Sequence, residues 1–505
     1  MKRKMFRRLM AASLATIMTV SMAACGNNSD APASGSNSES TPESTPESTP
    51  ESTPESTPEG EGEGEGEGEV GQYTVLTDEN GNVYDLGGME IILRDWFSST
   101  DGSRNEAKSD FEDAQHEYWD WLQETYNFTF KQMGMSDWGS APADFVEYAT
   151  TGDDGNNYLF VIRDEPSIAS AIKNGLLYDL STLDCLDFTE ERFTANRVHE
   201  KYGNANGIFA MYSGVPEPRT GIYFNKRLLT DAGINPEDLY DWQASGEWTW
   251  EKFRECLETV QQDTDNDGVI DVYGLNLNNG NLSQMAVFSN GGQFFGKSAD
   301  GTYTYELEDP RTLEGLEYAV DLLTNFRQTD PEGAQWDYYK QAFLNGECAF
   351  TVDDAYSMYY NAEDNKGWLC DMEDDFGFVM FPKGPNMDDY TNAWSDNPVV
   401  IPACYDADKA WKLAFAWSLW TDDVPGYEGY QNKAHVYAGA RDTRAVDETF
   451  EMMKTKGMLA YQNVVPQVDF GNDFIWGIGP GAVVSEKVEA IRETWKAYAE
   501  AATQK

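Results

Sequence analysis

Residues 221–233 read GIYFNKRLLTDAG, and residues 246–256 read GEWTWEKFREC. Ile222–Phe224 are β-branched and aromatic and read as a short buried strand. Lys226–Ala232 read as a short helix closed by Gly233. Thr249 then caps a helix running to Gln262, with Glu251 and Lys252 near its start. The same alternation extends in both directions. Upstream, Met89–Leu93 is an apolar run of strand length, Phe128–Gln132 reads as a second strand and Tyr158–Arg163 as another buried one. Between them Ser109–Tyr126 is a helix, and Ile168–Asn174 is a second one stopped by Gly175. A hairpin is expected at 72–88, turning at Asn80-Gly81. Downstream, Thr312–Phe326, Trp336–Leu344, Asp408–Trp420 and Ser485–Ala501 read as helices. Buried strands alternating with helices mean α/β layers. Open α/β sheets bind ligands beyond the carboxyl ends of their strands, which singles out Asp95-Trp96 and Arg163-Asp164-Glu165.

The 505 residues hold 36 Lys+Arg against 88 Asp+Glu, a net charge of -52. Residues 1–24 carry five bases and no acid, and 26–69 carry 12 acids and no base, so 70–505 hold 31 bases and 76 acids. Such an acidic body is no general nucleic-acid binder, because phosphate needs a basic face. It does not favour docking on anionic lipid through its own surface either. At 40% hydrophobic and 13% aromatic residues it can bury a large core, and its length exceeds one typical core.

Residues 9–24 are too short and too weakly flanked for a stable membrane span. They end in Met22-Ala23-Ala24-Cys25-Gly26, which resembles a bacterial lipobox whose Cys25 is acylated; an ordinary secretory signal with a chance Cys is the alternative. ESTP then repeats five times over 39–58 and GE five times over 60–69. With no apolar residue to offset ordering entropy, this run is expected to be a disordered tether. At roughly 3 Å per residue it reaches on the order of 100 Å.

Asp263, Asp265, Asp267 and Asp271, with Gly268 and the Val269 carbonyl, have the spacing of a calcium loop, although Gly274 stands where an EF-hand has its closing Glu. A solvated acidic turn is the alternative. Catalytic motifs are absent: the three His are far apart, and there is no nucleophile elbow, P-loop or dinucleotide fingerprint. Five Cys lie in the body at spacings that fit no zinc pattern. Trp96, Trp138, Trp394 and Trp476 lie in Gly/Asp/Asn-flanked stretches, where flat rings can stack on polyhydroxy ligands; core packing is the alternative for each. For Trp411, Trp417 and Trp420, in a helix, packing is the stronger reading.

The opening stretch, with Pro236, resembles the signature of family 1 extracellular solute-binding proteins, the lipoprotein receptors of ABC importers, chiefly for sugars. VIRDEPSIASAIKNGLLYDLS at 161–181, FLNGECAFTVDDAY at 343–356, FGFVMFPKGP at 376–385, DNPVVIPA at 396–403 and ADKAWKLAFAWSLW at 407–420 follow in the family's order, with Cys348 and Phe350 departing from its usual residues. The resemblance implies an α/β, two-lobed periplasmic-binding-protein-like fold, each lobe a mixed sheet flanked by helices, joined by a multi-strand hinge. The expected crossings lie near Gly221–Asn225, Asn397–Ile401 and Gly439–Arg444. The expected organisation is a signal at 1–24, a tether at 25–69, lobe 1 at 70–221 and 398–440, and lobe 2 at 222–397 and 441–505. Expected ligand contacts are Asp95, Trp96, Arg163, Asp164, Tyr223 on the cleft floor, Asp353 through Tyr356 (Asp354 and Tyr356 foremost), Trp394, Asp396 and Trp476. The implied partners are a sugar or oligosaccharide, ABC permease subunits and, through lipid on Cys25, the outer face of the cytoplasmic membrane. The chain is expected to be a monomer without catalysis or cofactor beyond a structural Ca2+. Alternatives are a receptor for a polyamine, a surface glycan hydrolase and a non-transporting wall protein.

Overall fold

A computed structural model describes residues 73–107, 109–163, 166–204, 206–211, 220–362, 365–394, 397–429 and 434–503. Cys25 and the tether, Asp164, Glu165 and Asp396 lie outside the described residues. Tyr73–Val75 belong to an N-terminal unit of their own, and Leu76 onward forms a second.

In chain order the main elements of that second unit begin with β1 (Met89–Asp95), α1 (Asp110–Tyr126), β2 (Phe128–Gly134), α2 (Ala141–Thr151), β3 (Asn157–Val161) and α3 (Pro166–Lys173). There follow β4 (Thr220–Asn225), α4 (Lys226–Asp231), α5 (Glu237–Ser245), α6 (Trp250–Val260), β5 (Tyr273–Leu275), α7 (Asn279–Ser289), α8 (Pro310–Phe326), α9 (Tyr338–Leu344), β6 (Cys348–Asp354), β7 (Phe376–Val379) and β8 (Asn392–Trp394). The chain ends with β9 (Val399–Val400), α10 (Ala407–Trp420), α11 (Ala434–Gly439), β10 (Gly457–Leu459) and α12 (Val484–Thr503).

Two four-stranded mixed sheets organise these elements. The first has the order β9-β3-β1-β2, with β1 parallel to β2 and β3, and β9 antiparallel to β3. The second has the order β7-β4-β6-β5, with β4 antiparallel to both neighbours and β6 parallel to β5. Every residue of β4 is buried, which is why GIYFN shows no polar alternation. The helices start where short polar side chains can cap them. Ser109, Asn225, Thr249, Asp309 and Asp406 each accept a backbone N–H of the first turn, a contribution of about 1 kcal/mol per helix. Gly175 and Gly233 take the left-handed conformation that stops the helices before them. The hairpin at 72–88 reduces to one bridge, Thr77 with Val83, around a turn held by Asp78.

Of the helical tryptophans, Trp417 and Trp420 are buried in the core, while Trp411 is half-buried beside Phe415. Trp420 stacks on Trp119 and on Phe130, each with ring centroids 4.4 Å apart. This ties α10, late in the chain, to α1 and β2. The chain leaves the first sheet after Met211, enters the second at Thr220, and returns to the first between Trp394 and Val399. By Ala434 it is back beside the second sheet, since α11 packs on the turn Ala355–Met358 that follows β6. The expected third crossing at 439–444 lies past that point. Gly439 is in close contact there: a Cβ on it would overlap the Met358 carbonyl. The two halves also touch directly. The Lys297 ammonium donates to the carbonyls of Glu200 (2.6 Å) and Gly203 (3.0 Å), and α3 packs on the turn Tyr461–Val464.

Among the described residues all five cysteines are free, and no helix is long and apolar enough to cross a membrane.

Candidate functional site

At the carboxyl end of the first sheet β1 stops at Asp95, which is 1% exposed. Its carboxylate accepts from the amides of Phe97 (3.1 Å) and Ser98 (2.9 Å), the Ser98 hydroxyl (2.7 Å) and Gln132 Nε2 (2.8 Å). All these donors come from its own loop or the neighbouring β2. Gly134 must be glycine, because a Cβ there would lie 2.4 Å from the Ser98 carbonyl. The loop so tied down carries Trp96, half-buried, edge-on to the exposed ring of Phe97 at 5.7 Å. Asp95, expected to touch ligand, is therefore the anchor of the loop that presents these rings.

Beside it, past the end of β3, the Arg163 guanidinium lies 3.4 Å over the ring of Trp138 and donates to the Trp138 carbonyl at 3.2 Å. Trp138 is held at this place by the turn of Asp137, whose carboxylate accepts from the amides of Gly139 and Ser140, both at 2.8 Å. Its ring is 60% exposed. The rim of the first sheet thus offers aromatic faces and one guanidinium.

At the carboxyl end of the second sheet, β6 ends in Asp353-Asp354. Asp354 accepts from the Thr220 hydroxyl at 2.7 Å, and the next turn presents Tyr356, 44% exposed. Tyr223 does not reach a cleft floor. It is fully buried against Phe378, ring centroids 4.3 Å apart, and its hydroxyl donates to the carbonyls of Asp354 and Ala355, each at 3.1 Å. Burial, and then the charges of Asp353 and Asp354, push its hydroxyl pKa well up, so it stays a donor. Trp394 is likewise a core residue. Its indole donates to the Met453 carbonyl at 3.2 Å, and its ring lies where any side chain on residue 457 would be, which Gly457 leaves free.

Trp476 is the opposite case, 63% exposed in the turn Ile475–Gly477. It sits over the N-terminus of α7, against Gly280 and Gly471; a Cβ on Gly471 would come within 2.8 Å of its ring. Asn278 caps α7 by accepting from the Gly280 amide at 2.9 Å. One turn further, Asn281 donates to Asp353 Oδ1 at 3.3 Å, which links α7 to the end of β6.

Each sheet end therefore carries exposed aromatic faces beside amides, hydroxyls and carboxylates. Of the residues expected to touch ligand, Trp96, Arg163, Asp354, Tyr356 and Trp476 lie at these ends. Sequence reasoning left Phe97 unnamed, although that residue directly follows the Asp95-Trp96 pair. It also left out Asn281, for which the Asn-rich run at 276–281 was the available signal.

The acidic loop forms in part as expected. One carboxylate oxygen each from Asp263, Asp265 and Asp267 lie within 4.8 Å of one another, so the three could hold an ion. Asn266 and Gly268 both take positive φ, which turns the chain around that point. Asp271 is not in the group: its carboxylate accepts from the Thr264 hydroxyl and from the Thr264 amide at 2.7 Å, bonds that in that order lower its pKa. All three remaining donors are oxygens, the chemistry of a hard cation.

Comparison with known proteins fits this geometry. Residues 149–420 match the family model described as bacterial extracellular solute-binding protein. The match spans more than half of the chain, and the chain belongs to that family: it is a non-catalytic solute-binding protein of an ABC importer. No curated protein matches it. Solved structures share the fold at low identity. A solute-binding protein from Thermotoga lettingae with α-D-tagatose is 13% identical, with a TM-score of 0.52 over 82% of this chain and 99% of that one. A chitin oligosaccharide binding protein is 17% identical, with a TM-score of 0.51 over 83% of this chain and 100% of that one. UgpB from Mycobacterium tuberculosis with glycerophosphocholine is 15% identical, with a TM-score of 0.52 over 78% of this chain and 96% of that one. The α/β periplasmic-binding-protein-like fold follows, with mixed sheets flanked by helices.

Proposed function

We propose that this protein is a lipid-anchored receptor that takes a sugar or oligosaccharide between two lobes, one around each sheet, and hands it to a membrane permease. The observation that carries the ligand class is the pair of aromatic rims. Trp96, Phe97 and Trp138 edge the first sheet; Tyr356 and Trp476 edge the second. Neutral polyhydroxy ligands need flat faces for C–H stacking and mixed donors and acceptors for hydroxyls. Two of the structural relatives, bound to tagatose or named for chitin oligosaccharides, agree with this class. The division into two lobes, with the last crossing before Ala434, acylation at Cys25 and calcium at Asp263, Asp265 and Asp267 belong to the same proposal. Affinity would come from stacking and from hydrogen bonds formed as the lobes close.

A cationic solute such as a polyamine is the second reading, favoured by the net charge of -52. The guanidinium of Arg163 at the first rim speaks against it. A thermal-shift screen decides between them. Tagatose, maltotetraose or chitin oligosaccharides should raise the melting temperature, and spermidine should not. A shift with spermidine alone would remove the carbohydrate reading.

A further inference from the structure

Asp353 is 2% exposed. Its Oδ1 accepts from the Asp354 amide (2.9 Å) and Asn281 Nδ2 (3.3 Å). Its Oδ2 accepts from the Ser357 hydroxyl (3.0 Å), Trp368 Nε1 (3.1 Å) and, more distantly, the Tyr339 hydroxyl (3.5 Å). These donors come from α7, from α9, from the turn Ala355–Met358 and from the turn Trp368–Asp371. One carboxylate thus cross-links four separate segments beneath Asp354 and Tyr356.

We propose that Asp353 is a proton-sensitive positioning residue: its ionised carboxylate holds the Ala355–Met358 turn in the posture that presents Asp354 and Tyr356 to ligand. What the turn meets rests on the carbohydrate reading above; the clamp itself rests on the hydrogen bonds alone.

The donor set explains the sensitivity. A carboxylate only accepts, and Trp368 Nε1, Asn281 Nδ2 and the Asp354 amide can only donate. A protonated carboxyl must give one hydrogen back, which only a turned hydroxyl of Ser357 or Tyr339, or a flipped Asn281 carboxamide, can take. Protonation therefore exchanges bonds to a charge for weaker neutral ones and releases the turn. Burial, and then the charge of Asp354, push the Asp353 pKa up to about 6, so the exchange falls in an accessible range. The titratable groups facing it are Asp354 on its own strand, Tyr356 on the turn, Tyr223 on β4 and Tyr339 on α9, with Cys370 beyond Tyr223. Both Tyr223 and Tyr339 are held protonated by burial and by these carboxylates, so across this range they remain neutral.

The test is hydrogen exchange of the turn, corrected for intrinsic rates, in the full chain at pH 7.5 and pH 5. Affinities for maltotetraose and chitin oligosaccharides are measured alongside. Wild type should lose roughly tenfold in protection of 354–358 on acidification, about the worth of one charge-assisted hydrogen bond. Asp353→Asn should match acid wild type at both pH values. Ser357→Ala keeps the ionised carboxylate, so it should keep the pH response from a lower starting protection; it carries the test if Asp353→Asn does not fold. Sugar affinity should follow the turn. Protection that ignores both pH and Asp353→Asn overturns the clamp. A turn that loosens while sugar affinity stays flat overturns the positioning role. A turn that loosens while no sugar binds at any pH supports the clamp and removes the carbohydrate reading instead.

Discussion

Asp95 and Asp353 each close a buried strand near its carboxyl end, and both carboxylates are fully engaged, but with different kinds of partner. Asp95 takes its donors from the two residues that follow its own loop start and from the adjacent strand. Asp353 takes them from residues 4, 14, 15 and 72 positions away, besides its neighbour. The first is a loop anchor; the second is a tertiary cross-link. A local anchor can be lost with little damage beyond its loop. A cross-link of four segments leaves several buried donors unpaired at once.

The largest effect should follow from that difference. Asp353→Ala should cost about 3 kcal/mol or more in denaturant unfolding, and Asp95→Ala about 1–2 kcal/mol, because exposed loop amides can turn to water. Equal costs would erase the distinction. The next effect is at the rims. Trp476→Ala should weaken sugar binding about tenfold while leaving the unfolding midpoint nearly unchanged, since an exposed ring contributes little to the core. Trp394→Ala should do the reverse, losing a buried indole and destabilising by about 3–5 kcal/mol.

This pair of tryptophans shows how far the sequence could be read. Strand and helix order was legible because Ile91–Leu93, Tyr158–Val161 and Ile222–Phe224 are apolar runs inside β1, β3 and β4 and because Thr249 stands at a cap position. The Asp95 loop was legible only as a strand end: its carboxylate was expected on ligand, whereas it is taken up by the Phe97 and Ser98 amides and by Gln132. Trp394 and Trp476 look alike in sequence, each close to Asn and Asp. What separates them is remote. Trp394 is covered through Met453, 59 residues on, while Trp476 rests on glycines and stays open. Tyr223 was misplaced similarly: the residues that bury it come from β6 and β7, and no local pattern records that pairing.

A smaller effect concerns pH. The Asp353 pKa is raised from 3.8 to about 6 in the folded chain. A raised carboxyl pKa means that the folded state takes up a proton before the unfolded one does. Stability from this group therefore grows as pH falls through about 6 and levels off below about 4. Between pH 7 and 5 wild type should gain about 1 kcal/mol relative to Asp353→Asn, measured by denaturant melts. The fold would gain while the turn loosens and affinity falls, opposite signs that a purely structural residue would not give. The smallest effect is expected at the acidic loop. Calcium should raise the melting temperature by a few degrees, as for a ligand bound only to the folded state, and Asp265→Asn should abolish the shift. No response to calcium or chelator would leave the loop a solvated turn.

The account depends most on two aromatic rims serving one sugar. Isothermal calorimetry of the full chain with maltotetraose and chitin oligosaccharides, repeated with Trp476→Ala and with spermidine as the competing solute, tests that directly. The prediction is saturable one-to-one binding of a sugar, weakened about tenfold by Trp476→Ala, and no heat with spermidine. Saturable binding of spermidine with no sugar bound would contradict it.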